Sequence, residues 1–231
     1  MVVTMEQILS NFKVIEIPKE QTHEWLLKKH YAHRIPSISY AFGLYDFDNV
    51  LQGVCTFGSP PSRSLVKGLL GGSYMEHILE LNRLVINDNI PNSASYFVSR
   101  CLKLLPRPSI IVSYADTRQN HHGYIYQATN FIYTGLSAER NDWYIEGLEH
   151  LHSKSISDGE TKQTLLNKYG DKLKYRERSR KHRYIYIIAN RGERENIMKL
   201  LKYPIKEYPK GDNINYNASY HPTVQSIMIE S

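Results

Sequence analysis

Glu80-Leu-Asn-Arg-Leu-Val-Ile-Asn-Asp-Asn-Ile-Pro-Asn-Ser-Ala-Ser95 runs from an apolar strand through an amide-rich turn into a helical pattern, Tyr96–Leu105. A second strand, Ser109-Ile-Ile-Val-Ser-Tyr-Ala-Asp116, leads through a His/Gly turn into a helical stretch at Gly123–Phe131, and Tyr133-Thr-Gly begins the next strand. The order is strand, amide-rich loop, helix, strand, helix, strand. A helix N-terminus offers unpaired N–H groups and the positive end of its dipole, so the Pro91–Ser95 loop reads as a phosphate seat through Asn92, Ser93 and Ser95. Strands of α/β units present functional groups at their C-terminal ends, where Asp116 falls. A phosphate-bearing cofactor beside an acid/base group points to a group-transfer enzyme.

The rest of the chain fits a mixed α/β sheet flanked by helices in one domain. Helical spacing over Pro18–Tyr31 ends near His30 and Tyr31, because Pro36 bars its continuation. Ser39–Tyr45 and Val50–Phe57 alternate as strands around Asp46-Phe-Asp-Asn, Gly68–Gly72 reads as a flexible loop, and Met75–Ile86 carries Arg83. Residues 1–210 form the domain, with a polar, partly helical insertion at 138–182 and a polar tail at 211–231. Arg183–Ile188 reads as a further strand and Glu193–Leu201 as a short helix.

Composition narrows the class. With 231 residues, 41% hydrophobic and 23% charged, the chain has the make-up of a soluble globular protein of single-domain size. Eighteen tyrosines suit either a β-rich core or a surface that stacks on bases. Cys55 and Cys101 have no metal-ligand spacing and point to a reducing compartment. The N-terminus lacks a cationic leader with an apolar core, and no run reaches the length of a membrane span, so a cytoplasmic protein without a membrane partner is expected. Net charge is +6, and Lys172, Lys174, Arg176, Arg178, Arg180, Lys181 and Arg183, set against Glu177 alone, account for all of it. This run leads into Tyr184-Ile-Tyr-Ile-Ile and is expected at the sheet edge, gripping a polyanion through its phosphates, or else forming a solvated face.

Two residues carry chemistry by position. Asp116 either accepts a proton from an attacking amine or orients it, or merely caps the following turn. Alternation along its strand puts Arg83 on the face of Leu81 and Val85, where a guanidinium needs an anion, with Asp116 or a cofactor phosphate as partner, unless the strand edge is solvated.

The element order resembles the acyl-CoA-binding core of the GNAT acyltransferases, in which an amide-rich turn holds pyrophosphate and the acyl group lies between two splayed strands. The strings Lys29-His-Tyr, Glu80-Leu-Asn-Arg-Leu, Ser113-Tyr-Ala-Asp, Tyr126-Gln-Ala-Thr-Asn, Tyr133-Thr-Gly, His182-Arg-Tyr-Ile-Tyr and Lys202-Tyr-Pro resemble the Mom proteins of bacteriophages and prophages. The resemblance implies an α/β, GNAT-like transferase acting on double-stranded DNA in a bacterial host. It would attach a carbamoylmethyl group to the exocyclic amine of adenine and so protect the DNA from restriction. It also implies catalytic roles for Asp116, Arg83, the pair His30 and Tyr31, and Tyr126, whose phenol would protonate a leaving thiolate in competition with Tyr124. An aromatic near Tyr31 or Tyr40 would hold the flipped base. The resemblance admits iron, with His30, His33 and His121 as candidate ligands, and a second copy of the chain as a partner. The loop at 91–95 lacks the glycines of the usual GNAT pattern, so the donor is acyl-CoA, such as acetyl-CoA, or another activated, phosphate-bearing carrier. Two rival readings stand beside this one: a GNAT-type N-acyltransferase acting on a small amine or protein, and a non-catalytic DNA-binding protein. Loss of function on changing Asp116 separates enzyme from binder, and the nucleosides of exposed DNA separate the two enzymes.

Overall fold

A computed structural model describes residues 12–87, 91–148, 156 and 159–211. Seven strands form the central sheet: β1 (Lys13–Glu16), β2 (Tyr40–Tyr45), β3 (Leu51–Gly58), β4 (Ile78–Ile86), β5 (Ser109–Asp116), β6 (Ile132–Leu136) and β9 (Lys181–Ile188). Their spatial order is β1-β2-β3-β4-β5-β9-β6, and β7 (Asn141–Ile145) and β8 (Leu173–Glu177) make a separate two-stranded ribbon. Every neighbouring pair is antiparallel except β4 and β5, which run parallel. Among the described residues, the α-helices that accompany them include α1 (Arg63–Leu70), α2 (Ser93–Leu104), α3 (Tyr124–Ala128), α4 (Lys162–Tyr169) and α5 (Arg191–Leu200).

The helices form where buried side chains recur at helical spacing. In α2, Ser93, Phe97, Val98, Cys101 and Leu102 are buried along one stripe and meet Phe42, Phe57, Leu81, Ile111 and Phe131 on one face of the sheet. Val66, Leu69 and Leu70 of α1 join Ile110, Val112, Ile185 and Ile197 on the other face. A helix therefore covers 63–70, where the glycines suggested a loop. Its apolar stripe overrides Gly68, against which the Tyr203 hydroxyl lies, and the helix stops at Gly71, whose φ is +75°. The strand β1 and the ribbon β7–β8 are elements that the sequence pattern does not announce.

The pairing of β4 with β5 shapes the site. It lasts three residues, Ile78–Glu80 against Ile110–Val112, out of strands nine and eight residues long. Beyond it the strands part, and Ser113 Oγ bridges the opening by donating to the Leu81 carbonyl at 2.9 Å. A bulge at Asn82 contributes, since Thr56 pairs with Arg83 while Phe57 pairs with Leu81. The bulge also corrects the expected face of Arg83. Leu81 belongs to the core under α2, whereas Val85, two residues after Arg83, packs with Trp25 and Ala41, so the alternation changes between them.

The basic run also lies differently from expectation. β9 sits inside the sheet, between β5 and β6, so the run approaches an interior strand and not an edge. Edge strand β6 is shielded by the segment after α5: Lys206 N–H donates to the Tyr133 carbonyl at 2.9 Å, and the Tyr208 hydroxyl to the Phe131 carbonyl at 2.6 Å. The expected tail lies, apart from Gly211, outside the described residues.

Candidate functional site

The opening between β4 and β5 gathers groups from five elements. From β4 come Glu80, at the last paired rung, and Arg83. Water is displaced from Glu80, and burial pushes its carboxyl up to about 7 even though Lys181, Arg83 and Arg34 pull it down. One of its oxygens, Oε2, is buried without a protein hydrogen-bond partner. The Arg83 guanidinium donates to two carbonyls, Asn82 at 2.6 Å and Arg34 at 3.4 Å, while its Nε is buried and unpartnered. The ionisable groups that act on it are Tyr31, Arg34 and Glu80, and Asp116 is not among them. Glu80 is absent from the residues singled out in the sequence, though the signal was there: an acid at an interior position of an apolar strand.

Tyr126 enters from α3. It is hydrogen-bonded to Ser113 and packs against Phe131 and Tyr184 at ring distances of 5.3 and 5.2 Å. Burial raises its phenol well above the usual range, with the nearby Tyr31, Cys55 and Glu80 adding to the effect. Tyr124 is 61% exposed, so of the two competing phenols only Tyr126 reaches the opening. The turn that aims α3 depends on Gly123, at φ +76°, where a side chain would collide with the Tyr184 ring.

Asp116 ends β5 with both oxygens engaged. Oδ1 caps the turn at Thr117–Gln119 by accepting Arg118 N–H at 3.0 Å, and Oδ2 lies 3.7 Å from Lys181 Nζ. This is the geometry of a carboxylate that orients its neighbours, and Tyr31 and His121 lie within its electrostatic reach.

His30 and Tyr31 close the short π-helical turn Trp25–Lys29 and stack at 4.3 Å. His30 is buried, and desolvation, with Arg83, His33 and His121 adding to it, takes its pKa down to about 3. Its Nδ1 accepts Ala32 N–H at 3.0 Å, so the ring is neutral at physiological pH and carries its proton on Nε2. Tyr31 is 38% exposed and stands edge-on to His121 at 6.4 Å, at the rim of the opening. Tyr40 packs instead against the core below α2.

Iron at these histidines finds no support among the described residues. His33 Nδ1 is engaged by the Leu27 carbonyl at 2.8 Å, and among the described residues no group of three or more His, Cys, Asp or Glu is placed to hold a metal ion.

The expected phosphate seat lies at the start of α2. Asn92 takes the left-handed conformation, φ +65°, that glycine supplies in other phosphate loops, and its own side chain makes no cap hydrogen bond to the first turn. Ser93 is buried, and Ser95 Oγ donates to the Asn92 carbonyl at 3.0 Å. From here a groove of about 540 Å³ runs along α2, past Ser95, Ser99 and Lys103 on one side and Thr129 and Asn130 on the other, to Arg107 and Arg194.

The seven cations of the basic run divide by position. Lys172, Lys174, Arg176 and Arg178 are exposed on or beside β8. Arg180 bonds the Ser137 carbonyl at 2.8 Å and Glu139 at 3.1 Å, and Lys181 faces Asp116. Arg183 is 8% exposed, donates twice to Thr134 at 2.9 and 3.1 Å and lies 3.4 Å over the Tyr203 ring. Its expected role in gripping DNA is therefore corrected: its guanidinium is spent inside the fold.

The Mom protein family model matches residues 11–210. The chain belongs to the Mom protein family. It is 28% identical over 214 residues, 84% of each chain, to the methylcarbamoylase Mom of Escherichia phage Mu. Solved structures similar to it include an N-acetyltransferase from Staphylococcus aureus (12% identity, 77% of this chain and 98% of that one, TM-score 0.41). A putative acetyltransferase from Salmonella typhimurium with acetyl-CoA is another (7% identity, 77% and 94%, TM-score 0.43). No helix among the described residues is long and apolar enough to cross a membrane.

Proposed function

We propose that the chain modifies DNA, adding a carbamoylmethyl group to the exocyclic amine of adenine and so shielding the DNA from restriction nucleases. Family membership supports the substrate class. The observation that carries the chemistry is the meeting, at the β4–β5 opening, of a carboxyl that titrates near neutrality and a phenol held by Ser113. The exocyclic amine is a weak nucleophile because its lone pair is delocalised into the ring, so it needs orientation and removal of a proton as its new bond forms. Glu80, ionised in part at neutral pH and with a free oxygen, takes that proton. Asp116, held by Lys181 and the turn, orients the amine. Tyr126 donates its proton to the leaving group, and its raised pKa keeps it protonated until then. Tyr31, stacked on a neutral His30, offers a flat surface for an unstacked base. Arg83 Nε–H, buried and without a hydrogen-bond partner among the described residues, serves as a donor for the developing negative charge.

The donor is an activated, phosphate-bearing carrier that presents –CH2–CO–NH2 with its leaving group on the methylene carbon, so that the N–CH2 bond forms as the carrier departs with the proton from Tyr126; acyl transfer from acyl-CoA would instead leave an N-acyladenine. Asn92, Ser93 and Ser95 seat its phosphates, and Lys103, Arg107 and Arg194 line the groove beyond. Lys172, Lys174, Arg176 and Arg178 hold the DNA. Reconstitution with plasmid DNA and candidate donors, read by nucleoside mass spectrometry, tests the proposal: modified deoxyadenosine supports it, and acylation of added amines or peptides with unmodified DNA favours an ordinary N-acyltransferase.

A further inference from the structure

The ribbon β7–β8 has a structure of its own. Residues leaving β6 and entering β9 stay paired outside the main sheet: Ser137 N–H donates to the Lys181 carbonyl at 2.8 Å, and Arg178 N–H to the Arg140 carbonyl at 2.8 Å. The ladder then continues from Asn141 opposite Glu177 to Ile145 opposite Leu173. One face of this arm is closed by a small core, Ile145, Ile156, Leu165 and Leu173, with Trp143 and Tyr169 packed against it. The arm therefore has its own internal support and is rooted beside the site, where Lys181 meets Asp116.

Its other face is cationic and exposed. Alternation along β8 puts Lys174 and Arg176 on the face opposite buried Leu173. The Arg176 guanidinium lies over the Tyr144 ring, 5.5 Å from its centroid, and Arg178 turns toward Asp142 on the same side at 3.8 Å. Neither interaction consumes its cation: the Arg178 pair is surface-exposed and weak, and Arg176 has no acid partner among the described residues.

We infer that this face of the β7–β8 ribbon enters the major groove of DNA and that Arg176, with Lys174, selects the base pairs flanking the target. The inference rests on the DNA-modification reading above. Three physical facts carry it. A two-stranded β-ribbon is one of the two elements that fit the major groove, and the exocyclic amine of adenine lies on that groove's edge. Residues two apart on a strand are about 6.8 Å apart, or about two base-pair rises of roughly 3.4 Å, so Lys174 and Arg176, both within β8, can meet positions about two base pairs apart along the groove. A ring-supported arginine presents the planar fork that pairs with guanine O6 and N7, whereas lysine offers a single point charge.

The test is the sequence context of modification on a randomised duplex library, comparing wild type, Arg176→Lys and Arg176→Ala, with melting temperature as the control for folding. Wild type is expected to prefer particular flanking bases. Arg176→Lys, which keeps the charge, is expected to lower that preference at one position by roughly ten- to hundredfold. A lysine variant with wild-type context preference would overturn the inference and leave the ribbon as a backbone grip, as would a wild type without preference. Absence of DNA modification by the folded wild-type protein would overturn the parent reading and this inference with it. If Arg176→Ala lowers the melting temperature, the lysine variant, which retains the cation on Tyr144, decides alone.

Discussion

Replacing Glu80 with Gln should make the protein more stable and inactive. The carboxyl is displaced from 4.5 to about 7, chiefly because burial penalises its charge. At about 1.4 kcal/mol per pH unit, the penalty reaches up to about 3 kcal/mol. A raised folded-state pKa fixes the sign. Below about pH 4.5 the group is neutral in both states and costs nothing, and as pH climbs toward 7 the unfolded chain ionises first and folding stability falls. The amide has no charge to desolvate. Wild type and Glu80→Gln should therefore be similar at pH 4.5, and the variant more stable by up to about 3 kcal/mol at pH 8. Denaturant unfolding of both proteins across this range measures the difference. Modification by wild type should rise with pH through an apparent pKa near 7, and the variant should lose roughly 10²- to 10⁴-fold. A stability difference that does not change with pH would refute the buried-carboxylate argument, and a fully active variant would refute the catalytic one.

Tyr126→Phe should lower turnover by roughly 10²-fold or more at all pH values, while leaving folding near wild type; an active variant would move the acid elsewhere. Gly123→Ala should lower stability by at least about 1–2 kcal/mol, from left-handed strain alone, because its φ is +76° and the Tyr184 ring lies against it; denaturant unfolding checks this. Changing Lys172 and Arg178 to Ala should weaken binding to all duplexes and flatten the slope of log affinity against log salt by about 0.9 for each phosphate no longer neutralised, as titration at several salt concentrations would show. Asp substituted at Ser93 and Ser95 should block donor binding through charge repulsion, with direct calorimetry of acetyl-CoA as the readout.

Local signals in the sequence were reliable where a single periodicity governed the segment. Ser109–Asp116 is a strand over the residues expected, and β2, β3 and α2 fall within a few residues of their expected limits. Three features needed tertiary information. The bulge at Asn82 reverses the alternation, so the surroundings of Arg83 could not be read by counting twos. The insertion hides a ribbon because β8, Leu173–Glu177, buries only its first residue and reads as a charged run. Spacing alone also treats all seven cations of that run alike, whereas Arg183 is enclosed by Thr134 and Tyr203 and Arg176 stands in solvent over Tyr144. The candidate site was legible as a set of strings, His30-Tyr31, Arg83, Asp116 and Tyr126. Glu80 carried a sequence signal, an acid inside an apolar strand, but its place in the site follows only from the parting strands, which put it at their last shared rung with a buried oxygen that no described protein group meets.

Nucleoside mass spectrometry of plasmid DNA from cells expressing the wild-type chain or Glu80→Gln addresses the central claim most directly. The account predicts carbamoylmethylated deoxyadenosine with the wild type and its near absence with the variant, both proteins being folded. Unmodified adenine in DNA exposed to folded wild-type protein, or equal modification by the two chains, would contradict it.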